Sequence, residues 1–425
     1  MLGGVAGTAI TPRPSFAGPR SHTTGLAPSE VVVGDLNGDR RPDLAIAIAA
    51  ARTLRVRPGR GDGSFRIGSV YRTGRSPVSI AVGDLNGDGR PDLAVANDKV
   101  GTISVFSNRG GGGFRPRRNY RTGRGPSSVA IGDANGDGKP DVATANVGSR
   151  SVSVLIGRGD GRFAGRRDYR VGRSPSDLAI GDLNGDGRAD LVITNASART
   201  VSVLIARGDG TFAPRRPYRT GRGPAEVAIS DLDGDDRPEL VVANSASNTV
   251  SVLANKGDGR FRAARSYRTG RRPVFVAVGD LNGDGAGDLV TANVGHHTVS
   301  VLPNRGDGRF VTRRDFDTGR GPAAVAIGDV NRDGRPDLVT ANVIDYSFSV
   351  LPNATGLCGV PKVIYDTPQA AERNLVRANC RLGKVTRAYS KIVRAGRVIS
   401  AQPRPGSLRP IRTVVDLVVS RGRPH

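Results

Sequence analysis

A nine-residue run from Asp84 to Asp92, Asp-Leu-Asn-Gly-Asp-Gly-Arg-Pro-Asp, returns at a fixed 49-residue step along the chain. Its first aspartate recurs as Asp35, Asp84, Asp133, Asp182, Asp231, Asp280 and Asp329. Seven such periods restrict the chain to an array of equivalent units, each too small to bury its own faces and therefore stacked on its neighbours. Within the run, oxygen-bearing side chains at positions 1, 3, 5 and 9 and a glycine at position 6 are what a hard divalent cation requires of a short loop that folds back around it. The expected ion is Ca2+, up to seven of them.

The candidate ligands are Asp35, Asn37, Asp39 and Asp43; Asp84, Asn86, Asp88 and Asp92; Asp133, Asn135, Asp137 and Asp141; Asp182, Asn184, Asp186 and Asp190; Asp231, Asp233, Asp235 and Glu239; Asp280, Asn282, Asp284 and Asp288; and Asp329, Asn331, Asp333 and Asp337. Three copies depart from the pattern. Arg40 and Asp236 replace the glycine at position 6, Asp233 and Glu239 are variant ligands, and Arg332 replaces the glycine at position 4. A side chain with a Cβ is strained in a left-handed turn, and Asp tolerates it better than Arg, so the first loop ranks as the weakest site.

One unit read from Pro126 contains the runs Pro126 to Gly132, Asp141 to Asn146, Ser151 to Ile156 and Phe163 to Gly172, separated by turn signals. Four short β-rich runs with two apolar faces make an antiparallel meander. Seven of them set radially make an all-β, seven-bladed β-propeller. The phenylalanine after a Gly-rich turn falls at Phe65, Phe114, Phe163, Phe212, Phe261 and Phe310, and one further step back lands on Phe16. The segment from Ser15 to Gly25 therefore reads as a fourth strand without its first three, closing the seventh blade and removing an open edge. The propeller is expected over residues 15–352, with 1–14 a signal-peptide remnant or disordered, 353–357 a linker and 358–425 a separate domain.

Asn97, Asn146, Asn195, Asn244, Asn293 and Asn342 end the second runs and read as turn caps. Arg75, Arg124, Arg173, Arg222, Arg271 and Arg320 precede the first runs. In a meander of four strands those arginines lie on the face away from the ion loops, where the crossing between blades sets them round the central opening. Guanidinium groups so gathered suit carboxylate, phosphate or sulfate ligands, and the bland alternative is a solvated rim.

Formal net charge is +24, although the loops take 22 of the 39 acidic residues, so filled loops leave a strongly electropositive surface that attracts polyanions. The arginines are dispersed by the repeat, with no recognition helix, zinc finger or paired aromatic motif, which argues against nucleic acid. Compositional bias is the other reading of the arginine excess. No stretch approaches the length of a membrane span. Cys358 and Cys380 are the two cysteines, and a lone pair fits one disulfide in an exported protein better than a metal site wanting four ligands.

At the loops and the Phe turns, about Ser15 to Leu351, the chain resembles the FG-GAP (VCBS) repeat family, the blades of integrin-α-like propellers. That resemblance implies calcium in the loops, extracellular placement and ligand binding on the opposite face. The tail resembles a PASTA domain through Val360-Pro361, a helix from Thr367-Pro368 to Ala378, Cys380 to Gly383, Gly396 to Ser400, Pro403, Gly406 and a strand Val414 to Ser420. It implies a small α+β domain of a bacterial cell-envelope protein, with peptidoglycan as a possible partner.

The expectation is a non-catalytic, secreted or cell-surface bacterial protein that binds an anionic cell-wall polymer, polysaccharide or protein ligand. The alternative is a polysaccharide-active lyase or hydrolase, which would need residues that break the repeat to form one asymmetric site. Candidates for such a break are His296 and His297, Asp98 and Lys99, and Asp345 and Tyr346, all in turns between second and third runs, and the two histidines read as solvated rather than catalytic. Asn353-Ala354-Thr355 matches a glycosylation sequon and is read as chance.

Overall fold

The structure is a computed structural model that describes residues 13–355, 357–377, 380–405, 408–410 and 413–423. The expectation for residues 1–14 therefore falls almost entirely outside the described residues. Two compact units are present: Pro19–Asp280 with Gly285–Val350, and Met1–Gly18 with Leu281–Asp284 and Leu351–His425.

The first unit holds seven four-stranded antiparallel sheets. In the second blade the strands are Pro77–Gly83, Asp92–Asn97, Thr102–Phe106 and Arg118–Arg121. The first strands of all seven blades pack on one another in cyclic order, the seventh returning to the first, which closes the propeller. As the repeat register predicts, the seventh sheet takes its fourth strand from the N-terminal side: Arg20–Thr23 runs antiparallel to Ser347–Leu351, with Arg20 opposite Val350 and Thr23 opposite Ser347.

The fourth strand is shorter than the sequence suggests. Only in the third blade does it run unbroken, Phe163–Arg170. In blades one, two, four, five and six Phe65, Phe114, Phe212, Phe261 and Phe310 form isolated bridges instead, to Gly59, Asn108, Ala206, Asn255 and Asn304.

Core residues lie between blades rather than within them. Every second strand is buried along its whole length, for example Asp92–Asn97, because it is covered on both faces. One cluster joins Ala45, Leu54 and Val56 of blade one to Ile80, Leu93, Phe106 and Phe114 of blade two. Each such Leu or Phe contributes about 1.5–3 kcal/mol by leaving water. Tyrosines of the fourth strands latch onto the phenylalanine of the following blade: Tyr71 meets Phe114 edge-on at 5.5 Å, and its hydroxyl donates to Gly112 O at 3.3 Å. Where blade seven meets blade one, His22 stands at the tyrosine position and stacks on Phe348 at 4.8 Å.

In the other unit, Phe16 bridges Asn353, repeating the Asn304 to Phe310 bridge one period earlier. Asn353 is fully buried and its side-chain amide donates to Leu281 O at 2.9 Å. It therefore continues the blade pattern rather than starting a linker, and a buried amide cannot carry a glycan. Beyond it lie helix Pro368–Arg377 and a three-stranded sheet in which Val414–Ser420 sits centrally, parallel to Arg381–Ala388 and antiparallel to Val398–Gln402. Thr367 caps the helix by accepting the N–H of Ala370 on Oγ1 at 3.3 Å, and Ala371 and Leu375 face a core with Val398, Val415 and Leu417. Ala378 and Gly406 lie outside the described residues.

Candidate functional site

The seven loops have one construction. In each, the N–H of position 6 donates to Oδ2 of the position 1 aspartate at 2.7–2.9 Å. Closing that turn requires left-handed backbone at positions 4 and 6, so the second glycine matters as well as the first. Arg40, Asp236 and Arg332 adopt φ of 60°, 61° and 60° where the other copies have glycine. The asparagine at position 3 accepts the N–H of position 5, for instance Asp88 N–H to Asn86 Oδ1 at 3.0 Å.

Position 9 is the keystone. Asp43, Asp92, Asp141, Asp190, Asp288 and Asp337 are fully buried, and Glu239 nearly so. Asp92 accepts the N–H of Leu85 on Oδ2 at 3.1 Å and that of Asn108, in the turn between third and fourth strands, on Oδ1 at 2.7 Å. Burial pushes Asp43, Asp92, Asp141 and Asp190 up to about 6, and the carboxylates at positions 1 and 5 add to the rise. Burial likewise raises Glu239. At Asp84 burial acts in the same sense, but four backbone N–H donors outweigh it and hold the carboxyl below its usual range.

Hard oxygen donors that crowd and raise one another fit a divalent cation, which would offset their repulsion. In the fifth loop, carboxylate oxygens of Asp231, Asp233 and Glu239 all lie within 4.8 Å of one another. The side chains at positions 1, 3, 5 and 9 would hold the ion, which would supply charge and rigidity rather than chemistry. Basic residues at position 7 approach position 5 only loosely, at 3.8 Å for Arg90 and Asp88 and 3.5 Å for Arg188 and Asp186, and such exposed pairs contribute little.

Loops also reach across blades. Asn108 and Asn255 donate their side-chain amides to Leu36 O and Leu183 O of the preceding loop at 2.9 and 3.0 Å, and Gly161 N–H donates to Leu85 O at 3.0 Å. The ion loops and the turns between third and fourth strands thus share one face.

On the other face, the arginine turns dock on the turns between second and third strands: Gly148 N–H donates to Arg124 O at 2.9 Å and Ala246 N–H to Arg222 O at 3.1 Å. Arg75, Arg124, Arg173, Arg222, Arg271 and Arg320 are all exposed. The backbone N–H groups of Arg124 and Arg222 donate to Ser149 and Ser247 Oγ at 3.1 and 3.0 Å, and in blades six and seven residues that break the repeat take this part. Arg271 N–H donates to His296 Nδ1 at 3.4 Å, Arg320 N–H to Asp345 Oδ2 at 2.8 Å, and Gly321 N–H to His297 Nδ1 at 3.1 Å. Asp98 pairs with Lys99 at 3.2 Å. His296, His297 and Asp345 are thus bonded turn caps rather than merely solvated side chains, while Lys99 and Tyr346 are exposed.

The asparagines ending the second strands are more than turn caps. Asn97 is fully buried; its amide donates to Thr102 O at 3.2 Å and Ser104 Oγ at 3.0 Å. It also fills the space beside Gly74, where a Cβ would come within 2.6 Å of its side chain. Sequence reading also passed over a line of inter-blade clips on the first strands. Glu30 accepts the N–H of Ile80 at 2.5 Å, Ser79 that of Val129 at 3.2 Å, and Asp177 that of Val227 at 2.9 Å. Their only sequence signal is a polar residue three places into an apolar run.

Cys380 is buried in the core of the small unit, while the Cys358 side chain lies outside those described.

Comparison with known proteins agrees with this architecture. The FG-GAP-like repeat matches residues 35–95, 84–144, 133–193, 182–242, 231–291 and 280–340, and the PASTA domain matches 359–421. No match was found among curated proteins. Among solved structures, BBS1N in complex with ARL6DN is similar with a TM-score of 0.58 at 14% identity, over 79% of this chain and 96% of that one. Streptogramin B lyase is similar with a TM-score of 0.56 at 13% identity, over 80% and 98%. Virginiamycin B lyase from Staphylococcus aureus gives 0.55 at 14%, over 80% and 99%. At such identities the likeness is one of fold. The chain belongs to the FG-GAP-like repeat family and carries a PASTA domain after its propeller.

Proposed function

We propose that the protein is a non-catalytic, secreted or surface-held binding protein whose loops take calcium and whose arginine face meets an anionic polymer of the cell envelope or its surroundings. The observation that carries this reading is the set of six exposed arginines on the face away from the acidic loops, none of them in an ion pair among the described residues. Each presents a planar fork of donors matched to an oxyanion, and together they raise the local concentration of polyanions. The pairing of an extracellular-type repeat with a PASTA domain supports envelope placement, and PASTA domains often bind peptidoglycan or β-lactams. No helix among the described residues is long and apolar enough to cross a membrane. The matched families are typically non-catalytic, and three of the residues that break the repeat, His296, His297 and Asp345, are occupied as turn caps.

Binding to acidic polysaccharide or anionic wall polymer should weaken steeply with salt. Replacing Arg124, Arg173 and Arg222 together by Ser should lower affinity at least tenfold and leave calcium-dependent stability unchanged. A triple variant that binds like the parent, or a parent that binds no anionic polymer at low salt, would overturn the reading.

A further inference from the structure

On the arginine face, a cleft of about 620 Å³ opens between the first two blades. Its walls come from the turn between second and third strands of blade one, the crossing into blade two, and the outer strand of blade two. Arg52, Arg72, Arg75 and Arg117 line it together with Asn119, and no acidic side chain does.

One detail separates this cleft from those at blades three and six. Arg117 is held in place without being neutralised: its Nε donates to Asn119 Oδ1 at 3.1 Å and its Nη1 to Arg72 O at 2.8 Å. In blades three and six the residues in register with Asn119 are Asp168 and Asp315, which pair with Arg166 at 3.2 Å and Arg313 at 3.0 Å. The amide thus does the orienting that a carboxylate does elsewhere, while the guanidinium charge stays uncompensated. Arg52 also lines the cleft; it adopts left-handed backbone at φ 56°, as Arg150 and Arg199 do in the same register at 52° and 54°, where blade two has Gly101 at 59°. Arg52 thus brings to four the number of arginines that line the cleft.

We infer that this cleft is a discrete subsite for one oxyanion group, a carboxylate or a phosphate ester, carried on a sugar- or polyol-sized unit. Four arginines lining one cleft with no acidic side chain match the charge of such a group, and the volume exceeds what a bare ion needs and suits a small molecule. The inference rests on the reading that the arginine face meets an anionic polymer, and it locates one unit of that polymer.

The test is titration of the full chain at low salt with D-glucuronate, glycerol 1-phosphate and inorganic phosphate, followed by calorimetry. Saturable binding of at least one probe is expected. Asn119→Asp, which installs the ion pair already present in blades three and six, should weaken it at least tenfold. Arg52→Gly, which adopts the residue of blade two, should weaken it several-fold without loss of stability and serves if Asn119→Asp folds poorly. Arg222→Ser, in another blade, should bind the probes like the parent. Preference for glucuronate identifies a uronate-type carboxylate as the source, and preference for glycerol 1-phosphate a polyol phosphate. The inference is overturned if no probe saturates, if both cleft variants bind like the parent, or if Arg222→Ser loses as much as Asn119→Asp. If the parent binds polymer while small probes bind nothing, the cleft falls and the face reading stands. If the probes bind but no polymer does, the face reading falls and the cleft stands.

Discussion

Thr144 Oγ1 donates a 3.1 Å hydrogen bond to Oδ1 of Asn146, two residues further along the same buried strand. Thr291 and Thr340 do the same for Asn293 and Asn342, both at 3.0 Å. In blades two, four and five the donor is replaced by Val95, Ile193 and Val242, and Oδ1 of Asn97, Asn195 and Asn244 is buried without a partner among the described residues. A buried acceptor left unpaired costs about 1–3 kcal/mol, so the repeat carries both the fault and its repair.

Val95→Thr should therefore stabilise the propeller by about 1 kcal/mol, and Thr144→Val should destabilise it by a similar amount. Denaturant midpoints of the two variants at matched calcium decide the matter. Equal midpoints would mean that water, not threonine, satisfies these amides.

Calcium should raise the unfolding temperature, because an ion bound only by the folded loops adds about 2.7 kcal/mol per site at a hundredfold excess over its dissociation constant. Since the loops also hold the next blade through Asn108 and Asn255, chelation should lower cooperativity as well as the midpoint. Scanning calorimetry in chelator and in millimolar calcium checks both. Identical traces would remove the structural ion.

Acid carboxyls on the first strands give a pH dependence of known sign. Burial pushes Glu30 up to about 8 and Asp177 up to about 6, and raises Glu226, with Glu30 and Asp177 adding like charge to it. Between the ordinary carboxylate range and those values the folded state binds more protons than the unfolded one, so stability falls as pH rises. The contribution is intact below about pH 4.5 and is lost as pH climbs through 8. Glu30→Gln should flatten the decline between pH 6 and 8 when calcium is saturating. A parent whose midpoint rises over that interval would contradict the raised values.

Cys358 and Cys380 are proposed to be bonded, closing a loop of roughly 20 residues worth on the order of 3 kcal/mol in the chain-entropy account. Intact mass before and after reduction, on protein from an oxidising compartment, should differ by two hydrogens. Two alkylatable thiols before reduction would count against both the bond and the export it implies.

The propeller was legible in the sequence because its units repeat without slippage. Asp84 and Asp133 fix one register, Phe65 and Phe114 a second, and stepping back to Phe16 predicts a closing strand that the pairing of Arg20–Thr23 with Ser347–Leu351 bears out. Local chemistry also marked the ion loops, since turn geometry and donor spacing lie within nine residues. What the sequence could not show is whatever depends on residues from different blades meeting. Nothing local distinguishes Asn119 from the aspartates in its register, or says that Arg52, Arg72, Arg75 and Arg117 share a cleft. Glu30 and Asp177 read as ordinary polar interruptions until the first strands are brought side by side and their carboxyls lose water. Charge, desolvation and hydrogen-bond partnership are set by neighbours in space, and only the closed ring decides which side chains those are.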